Sequence, residues 1–264
     1  MNRKVGIIVG CLGGEIPLTT QLEMMKETGF DSFFSGLCSL ETTAAMKEKA
    51  DKLGLVYETI HAPFAGINNM WIPGLDYLTV FNGIKRSIDN AAACGIPAIV
   101  LHVSSGWYPP GISDLGLARY DELVFYAAER GVTVAFENLR CTGNLAYFAD
   151  RYEKIDNVRF CYDLGHEHCY TVTVQWMDVF RDKLICTHIH DNLGYDPDID
   201  PDFHYLPFDG TLDYADMVRR LDEVGYTGTI TLEVFNTTKP EYKEMSQDEF
   251  FKTCYERAKK IAEM

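Results

Sequence analysis

The chain has 264 residues, 47% of them hydrophobic and 24% charged, a globular balance that fits one large α/β barrel or two small domains. Its formal net charge of −15 and pI near 4.8 repel phosphate backbones. No run of Lys and Arg offsets that field and no segment is long and apolar enough to span a bilayer, so neither nucleic acid nor a membrane is an expected partner.

The opening stretch, MNRKVGIIVGCLGGE, pairs a basic start with an apolar run. The run is short and Glu15 follows it, so it reads as a first strand (4–10) rather than a signal peptide. A helix-like segment follows at 18–29, with Leu18, Leu22 and Met25 at helical spacing. DSFFSG (31–36), LVYETIHA (55–62), AIVLHVS (98–104), VTVAFEN (132–138), VRFCYD (158–163), LICTHIHD (184–191) and GTITLEV (228–234) are seven further strands. Segments 76–95, 120–131, 212–225 and 246–264 carry helical periodicity between and after them. Gly29, Gly54, Gly95, Gly131 and Gly225 stand where helix C-termini favour glycine.

Eight strands, each followed by a helix, predict a single α/β domain over residues 1–264, a (β/α)8 TIM barrel. A doubly wound sheet is the alternative, but no G-x-G-x-x-G follows the first strand and no organic cofactor is expected. The eight cysteines include no C-x-x-C pair and are spread along the chain, as reduced, mostly buried thiols of a cytoplasmic protein would be.

The histidines at 61, 102, 166, 168, 188, 190 and 204 all fall outside the bodies of the predicted amphipathic helices. His61, His102, His188 and His190 sit near strand ends, while Glu137, Asp163 and Glu233 close strands five, six and eight. In a barrel those ends converge on one face, where active sites are built. Imidazole and carboxylate together suit Mn²⁺, Zn²⁺ or Co²⁺, or Mg²⁺ where oxygen ligands dominate. Glu137, Asp163, His188 and Glu233, one from each of four successive strands, make a three-oxygen, one-nitrogen set with positions left for substrate oxygens. Arg140 is the obvious cation near these ends. DPDIDPD (196–202) is not an EF-hand loop, because its sixth and twelfth positions hold Pro201 and Pro207. Asp202 stands two residues before His204 and pairs with it as a ligand or a support to one.

FEN (136–138), DLGH (163–166), HIHD (188–191), DFHYLPFDGTLDY (202–214) and GYTGTITLEV (225–234) occur in this order. Through them the sequence resembles the xylose-isomerase-like TIM-barrel family, which includes sugar isomerases, ketose 3-epimerases, inosose dehydratases and endonuclease IV. The resemblance implies Glu137, Asp163, His188 and Glu233 as metal ligands, His166 directed at substrate, and Glu137 and Glu233 facing each other across a sugar. It implies a metal-dependent isomerase or epimerase, with a dehydratase as a variant, that removes a proton beside a carbonyl to give an enediolate. His61, His102, Arg140, His190, Asp202, His204 and Trp107 complete the expected substrate pocket, and nothing in the sequence opposes a homo-oligomer.

Epimerases of the family carry an Arg shortly after the strand-seven histidine, where this chain has NLGYDPDIDPDFH; Arg140 is left to bind a polar or phosphate group. Two rival functions stay open. His61, His102, Glu137, Asp163, His166, His188, Asp202, His204 and Glu233 also match the trinuclear zinc site of endonuclease IV, which cuts abasic DNA, although the charge and the lack of basic loops oppose it. The other is a non-catalytic metal- or carbohydrate-binding barrel, in which Trp71, Trp107, Tyr108 and Phe208 of predicted loops stack on a sugar.

Overall fold

The computed structural model describes residues 3–13 and 16–264. Strands β1 (Val5–Ile8), β2 (Ser32–Gly36), β3 (Val56–His61), β4 (Ala98–Leu101), β5 (Thr133–Glu137), β6 (Val158–Asp163), β7 (Leu184–His188) and β8 (Ile230–Leu232) run parallel in the order β7-β6-β5-β4-β3-β2-β1-β8. The ring closes between β7 and β8 at the parallel bridge Ile189–Leu232. There the Ile189 N–H donates to Thr231 O (2.9 Å) and the Glu233 N–H to Ile189 O (3.0 Å). The architecture is the (β/α)8 barrel that the strand–helix alternation predicts.

The outer ring comprises α1 (Leu18–Thr28), α2 (Leu40–Leu53), α3 (Tyr77–Cys94), α4 (Asp114–Glu129), α5 (Thr142–Arg151), α6 (Leu164–Tyr170), α7 (Trp176–Phe180), α8 (Tyr214–Glu223), α9 (Pro240–Glu244) and α10 (Gln247–Ala262). Ser39, Ser113, Asp213 and Ser246 cap α2, α4, α8 and α10 by accepting a backbone N–H, each cap being worth about 1 kcal/mol. All five glycines predicted at helix ends have positive φ. Between β5 and its helices, Phe136, Phe148, Tyr152, Tyr120 and Trp71 pack ring on ring. Burial of such side chains, at about 1.5–3 kcal/mol each, holds the helices on the barrel.

Alternation along the strands fixes what faces the lumen. Val100, Ala135, Cys161 and Cys186 form a small buried cluster of their own, each two residues before a polar side chain at the strand end: His102, Glu137, Asp163 and His188. Small side chains thus fill the lumen while the next layer toward the C-terminal mouth is polar. Between β3 and β8, half-buried Glu58 accepts hydrogen bonds from the hydroxyls of Thr229 and Thr231; desolvation pushes its carboxyl up against their opposition.

Three expectations need correction. The strands stop short of the predicted ends, at Leu101, His188 and Leu232 rather than 104, 191 and 234, because the chain leaves the sheet to aim its last side chains inward. His166 and His168 lie inside α6, a helix of about two turns whose N-cap is Asp163, too short to show a period in sequence. Trp71 is not a loop residue free to stack on a ligand. It ends the short 3₁₀ segment Ile67–Trp71, is buried, and donates its indole N–H to Val103 O (2.7 Å). Glu15, which argued against a leader, lies outside the described residues. No helix among the described residues is long and apolar enough to cross a membrane.

Candidate active site

Glu137 is the hub. It ends β5 with no exposed surface. Its Oε2 lies 2.7 Å from His102 Nε2 and 3.3 Å from His61 Nε2, and its Oε1 lies 2.7 Å from His188 Nδ1. Those three imidazoles come from the ends of β4, β3 and β7. His188 Nδ1 is also 3.4 Å from Glu233 Oε2, and its ring is stacked on Phe34 at 4.3 Å. Glu137, Asp163, His188 and Glu233 each offer a ligand atom, and the four atoms lie within 4.8 Å of one another. That separation suits ligands placed around one ion at about 2.0–2.2 Å from each.

A second cluster gathers around Asp202. Its Oδ2 is 3.2 Å from His166 Nε2, and its Oδ1 is 3.5 Å from His190 Nε2 and 3.4 Å from His204 Nε2. Asp163 Oδ1, 3.2 Å from His190 Nε2, links the two clusters. His166, His190, Asp202 and His204 form another set of mutually close ligand atoms, and His61, His102 and Glu137 a third. His204 sits at φ 49°, a backbone region costly for a non-glycine residue, and is held there by stacking on His190 at 3.9 Å.

Backbone carbonyls set the histidine tautomers. Nδ1 of His61, His166 and His204 lies 2.9, 2.9 and 2.8 Å from Ala62 O, Asn138 O and Glu233 O. A carbonyl only accepts, so Nδ1 carries the hydrogen and Nε2 is directed into the site.

The charges point the same way. Burial alone would raise the Glu137 carboxyl, but His188, His102 and His61 hold it well below the usual range. Asp163 and Asp202 are likewise lowered by neighbouring imidazoles against the effect of burial. Burial lowers His188 and His204, yet the facing carboxylates overcome it and push them up to about 10 and about 9. Protons on imidazole therefore balance this many buried carboxylates. Several buried atoms of the site still lack a hydrogen-bond partner of acceptable geometry: Asp163 Oδ2, His188 Nε2, Asp202 Oδ1 and both nitrogens of His190. Orphaned donors and acceptors in a dry site are costly; divalent cations would satisfy the oxygens and neutral nitrogens together. The residues fit a metal.

The cavity above them, about 100 Å³, is lined by His61, His102, Arg140, His166, Asp202, His204 and Glu233 among others. Seven predicted site residues thus line one space. Glu137, Asp163, His188 and His190 lie in the layer beneath. Trp107 stands on the rim, 42% exposed, edge-on to Tyr170 and Tyr195.

Two contributors escaped the sequence reading. Asn138 donates to Asp163 O (2.7 Å) and accepts the Asp163 N–H (2.8 Å), riveting the β5 end to the β6 end. Asp191, fully buried, accepts from the N–H groups of Asn192, Phe208 and Leu212, and so folds the long loop after β7 back on itself. Both stand inside motifs that are visible in sequence, FEN and HIHD, where the neighbouring charged residues draw the eye.

A closed parallel barrel with a histidine–carboxylate cluster at its C-terminal mouth belongs to the barrels that build their sites from strand-end residues. More narrowly, the chain belongs to the xylose isomerase-like TIM barrel family, whose model matches residues 22–254. The uncharacterized protein y4fM of Sinorhizobium fredii is 29% identical over 195 residues, 69% of this chain and 60% of that protein; the chain thus spans less than two thirds of its length. An inosose isomerase of Halalkalibacterium halodurans is 28% identical over 257 residues, covering 90% and 88% of the two chains. Two solved structures share the fold. The IOLI protein with a binding zinc atom has a TM-score of 0.77 and 17% identity, with 98% of each chain covered. The D-psicose 3-epimerase with D-tagatose from Clostridium cellulolyticum H10 has a TM-score of 0.76 and 16% identity, again with 98% of each covered.

Proposed function

We propose that this chain is a divalent-metal-dependent isomerase or epimerase of a sugar or sugar-derived substrate, acting by proton abstraction beside a carbonyl. The observation that carries it is the convergence of ligand atoms from Glu137, Asp163, His188 and Glu233 beneath a cavity that Glu233 itself lines. A relative named as an inosose isomerase and a fold neighbour named as a 3-epimerase support the same class.

Glu137, Asp163, His188 and Glu233 would hold the ion, which supplies positive charge for an enediolate oxygen. Glu233, at the cavity wall, is suited to take the proton from carbon. Glu137 is shielded from the cavity by His61 and His102, and its part in returning the proton runs through those rings. His166, its Nδ1 fixed on Asn138 O, presents Nε2 to a substrate oxygen. The partner is then a small sugar, and the chain a cytoplasmic one in which eight free thiols stay reduced.

The test is a panel of ketoses, aldoses and inososes with Mn²⁺ in deuterated water. Deuterium enters carbon in at least one of them, and Glu233→Gln binds that sugar without exchanging it. A panel with no label in any member defeats the proposal.

One observation favours a second reading. The three ligand groups, two sharing Glu137 and the third reached through the Asp163–His190 contact, offer donors enough for a trinuclear phosphodiester hydrolase. Against it, Arg140 is the one Lys or Arg among the described residues lining the cavity, and the net charge is −15. Three bound ions per chain together with cleavage of abasic DNA would establish it; one ion with label uptake favours the isomerase.

A further inference from the structure

Arg140 follows β5 and lines the cavity, with its side chain 16% exposed. It is held in an unusual way. Both oxygens of Asp200 approach a single nitrogen, Nη2, at 2.6 and 2.5 Å, and the same nitrogen donates to the Tyr170 hydroxyl. Nε, the other arm of that fork, is buried with no partner. A guanidinium meets an oxyanion best through two parallel N–H groups, one from each nitrogen of an edge. Asp200 leaves that edge half used, and at 61% exposed it is a solvent-weakened partner.

The surroundings suit an anion. The guanidinium lies 4.2 Å over the Tyr170 ring and 5.5 Å from the Trp107 ring, which fix its plane. Ser104 and Ser105 line the same cavity. Helix α5 begins two residues further on, with no side-chain cap and no acidic residue in its first turn. Asp200 itself comes from the acidic loop whose Asp202 belongs to the second ligand cluster.

We propose that Arg140 receives a phosphate group of the substrate on its Nε/Nη2 edge, and that Asp200 is an internal competitor which the phosphate displaces. Resting on the isomerase reading, this makes the substrate a phosphorylated sugar, oriented by its phosphate with the reacting carbons toward Glu233.

The test needs no turnover. Inorganic phosphate is titrated calorimetrically into the chelator-treated full chain, wild type and variants, with acetate as the comparison anion and a thermal melt to verify folding. Phosphate binds saturably and more tightly than acetate. Arg140→Gln weakens it at least about tenfold, the equilibrium factor of one charge-assisted contact, and Arg140→Lys falls between. Asp200→Asn tightens it several-fold, a change of sign that a merely structural ion pair would not give. Unchanged binding in Arg140→Gln, or weaker binding in Asp200→Asn, overturns the proposal, as does acetate binding as tightly as phosphate. Arg140-dependent phosphate binding with no sugar turned over would remove the isomerase and leave the anion site. Isotope exchange on unphosphorylated sugars alone, with no Arg140 dependence, would do the reverse.

Discussion

Loading the metal-free chain with a divalent cation should expel protons in a number the site itself sets. His188 is pushed up to about 10 by Glu233 and Glu137, over the opposing effect of burial, so at pH 8 it is about 99% protonated. A ligand histidine must be neutral, and an ion held by Glu137, Asp163, His188 and Glu233 therefore releases about one proton from this ring. His204, at about 9, is about 90% protonated at pH 8 and adds nearly another proton if a second ion enters its cluster. Because His188 stays protonated up to about pH 10, apparent affinity should rise about tenfold per pH unit between pH 7 and 9, or about 1.4 kcal/mol each. Calorimetry at pH 8 in two buffers of different ionisation enthalpy counts the protons, and repetition at pH 7 and 9 gives the slope. A proton count near zero with a flat affinity would refute the claim that imidazolium charge holds the place of a cation.

The same groups govern the stability of the chelated protein. His188 and His204 are raised above their unfolded value, so their contribution is complete below about pH 6.5 and is lost as pH rises through 9 and 10. Melting temperature should fall across that window, and added Mn²⁺ should flatten the decline. Asn138→Ala leaves the Asp163 N–H without its Asn138 partner and takes one acceptor contact from its C=O, which still serves the first turn of α6, and denaturant titration should show a loss of about 1–3 kcal/mol; a loss below about 0.5 kcal/mol, on the order of an ordinary surface change, means the rivet is unimportant. In Gly165→Ala the new Cβ would stand 2.0 Å from His190 Cε1. It should cost about 1–3 kcal/mol, read as a fall in melting temperature, while metal analysis still finds the ion held by Glu137, Asp163, His188 and Glu233.

The barrel was legible because alternation of apolar strand and amphipathic helix is a local signal, repeated eight times, and a parallel barrel is one of few ways to satisfy it. The polar ends were legible for a related reason: a carboxylate closing a buried strand, as in Asp163 or Glu233, is costly enough to need a purpose. Partnership was not. Nothing in the sequence says that Glu137 would be enclosed by three imidazoles, or that Asp200 rather than Asp202 would hold Arg140, since both outcomes depend on loop paths. The helix α6 escaped notice because seven residues hold no periodic pattern, and Trp71 because its burial is settled by a distant carbonyl, Val103 O.

Asp191 has a consequence for how this scaffold diverges. Its backbone pairs with Tyr205 in both directions, and its carboxylate gathers Phe208 and Leu212, so the stem of the post-β7 excursion is fastened independently of the tip. Residues 193–201 can therefore lengthen, shorten or change charge while the descending limb still delivers Asp202 and His204 to the mouth. Substrate preference is free to drift at the tip without dismantling the chemistry below it.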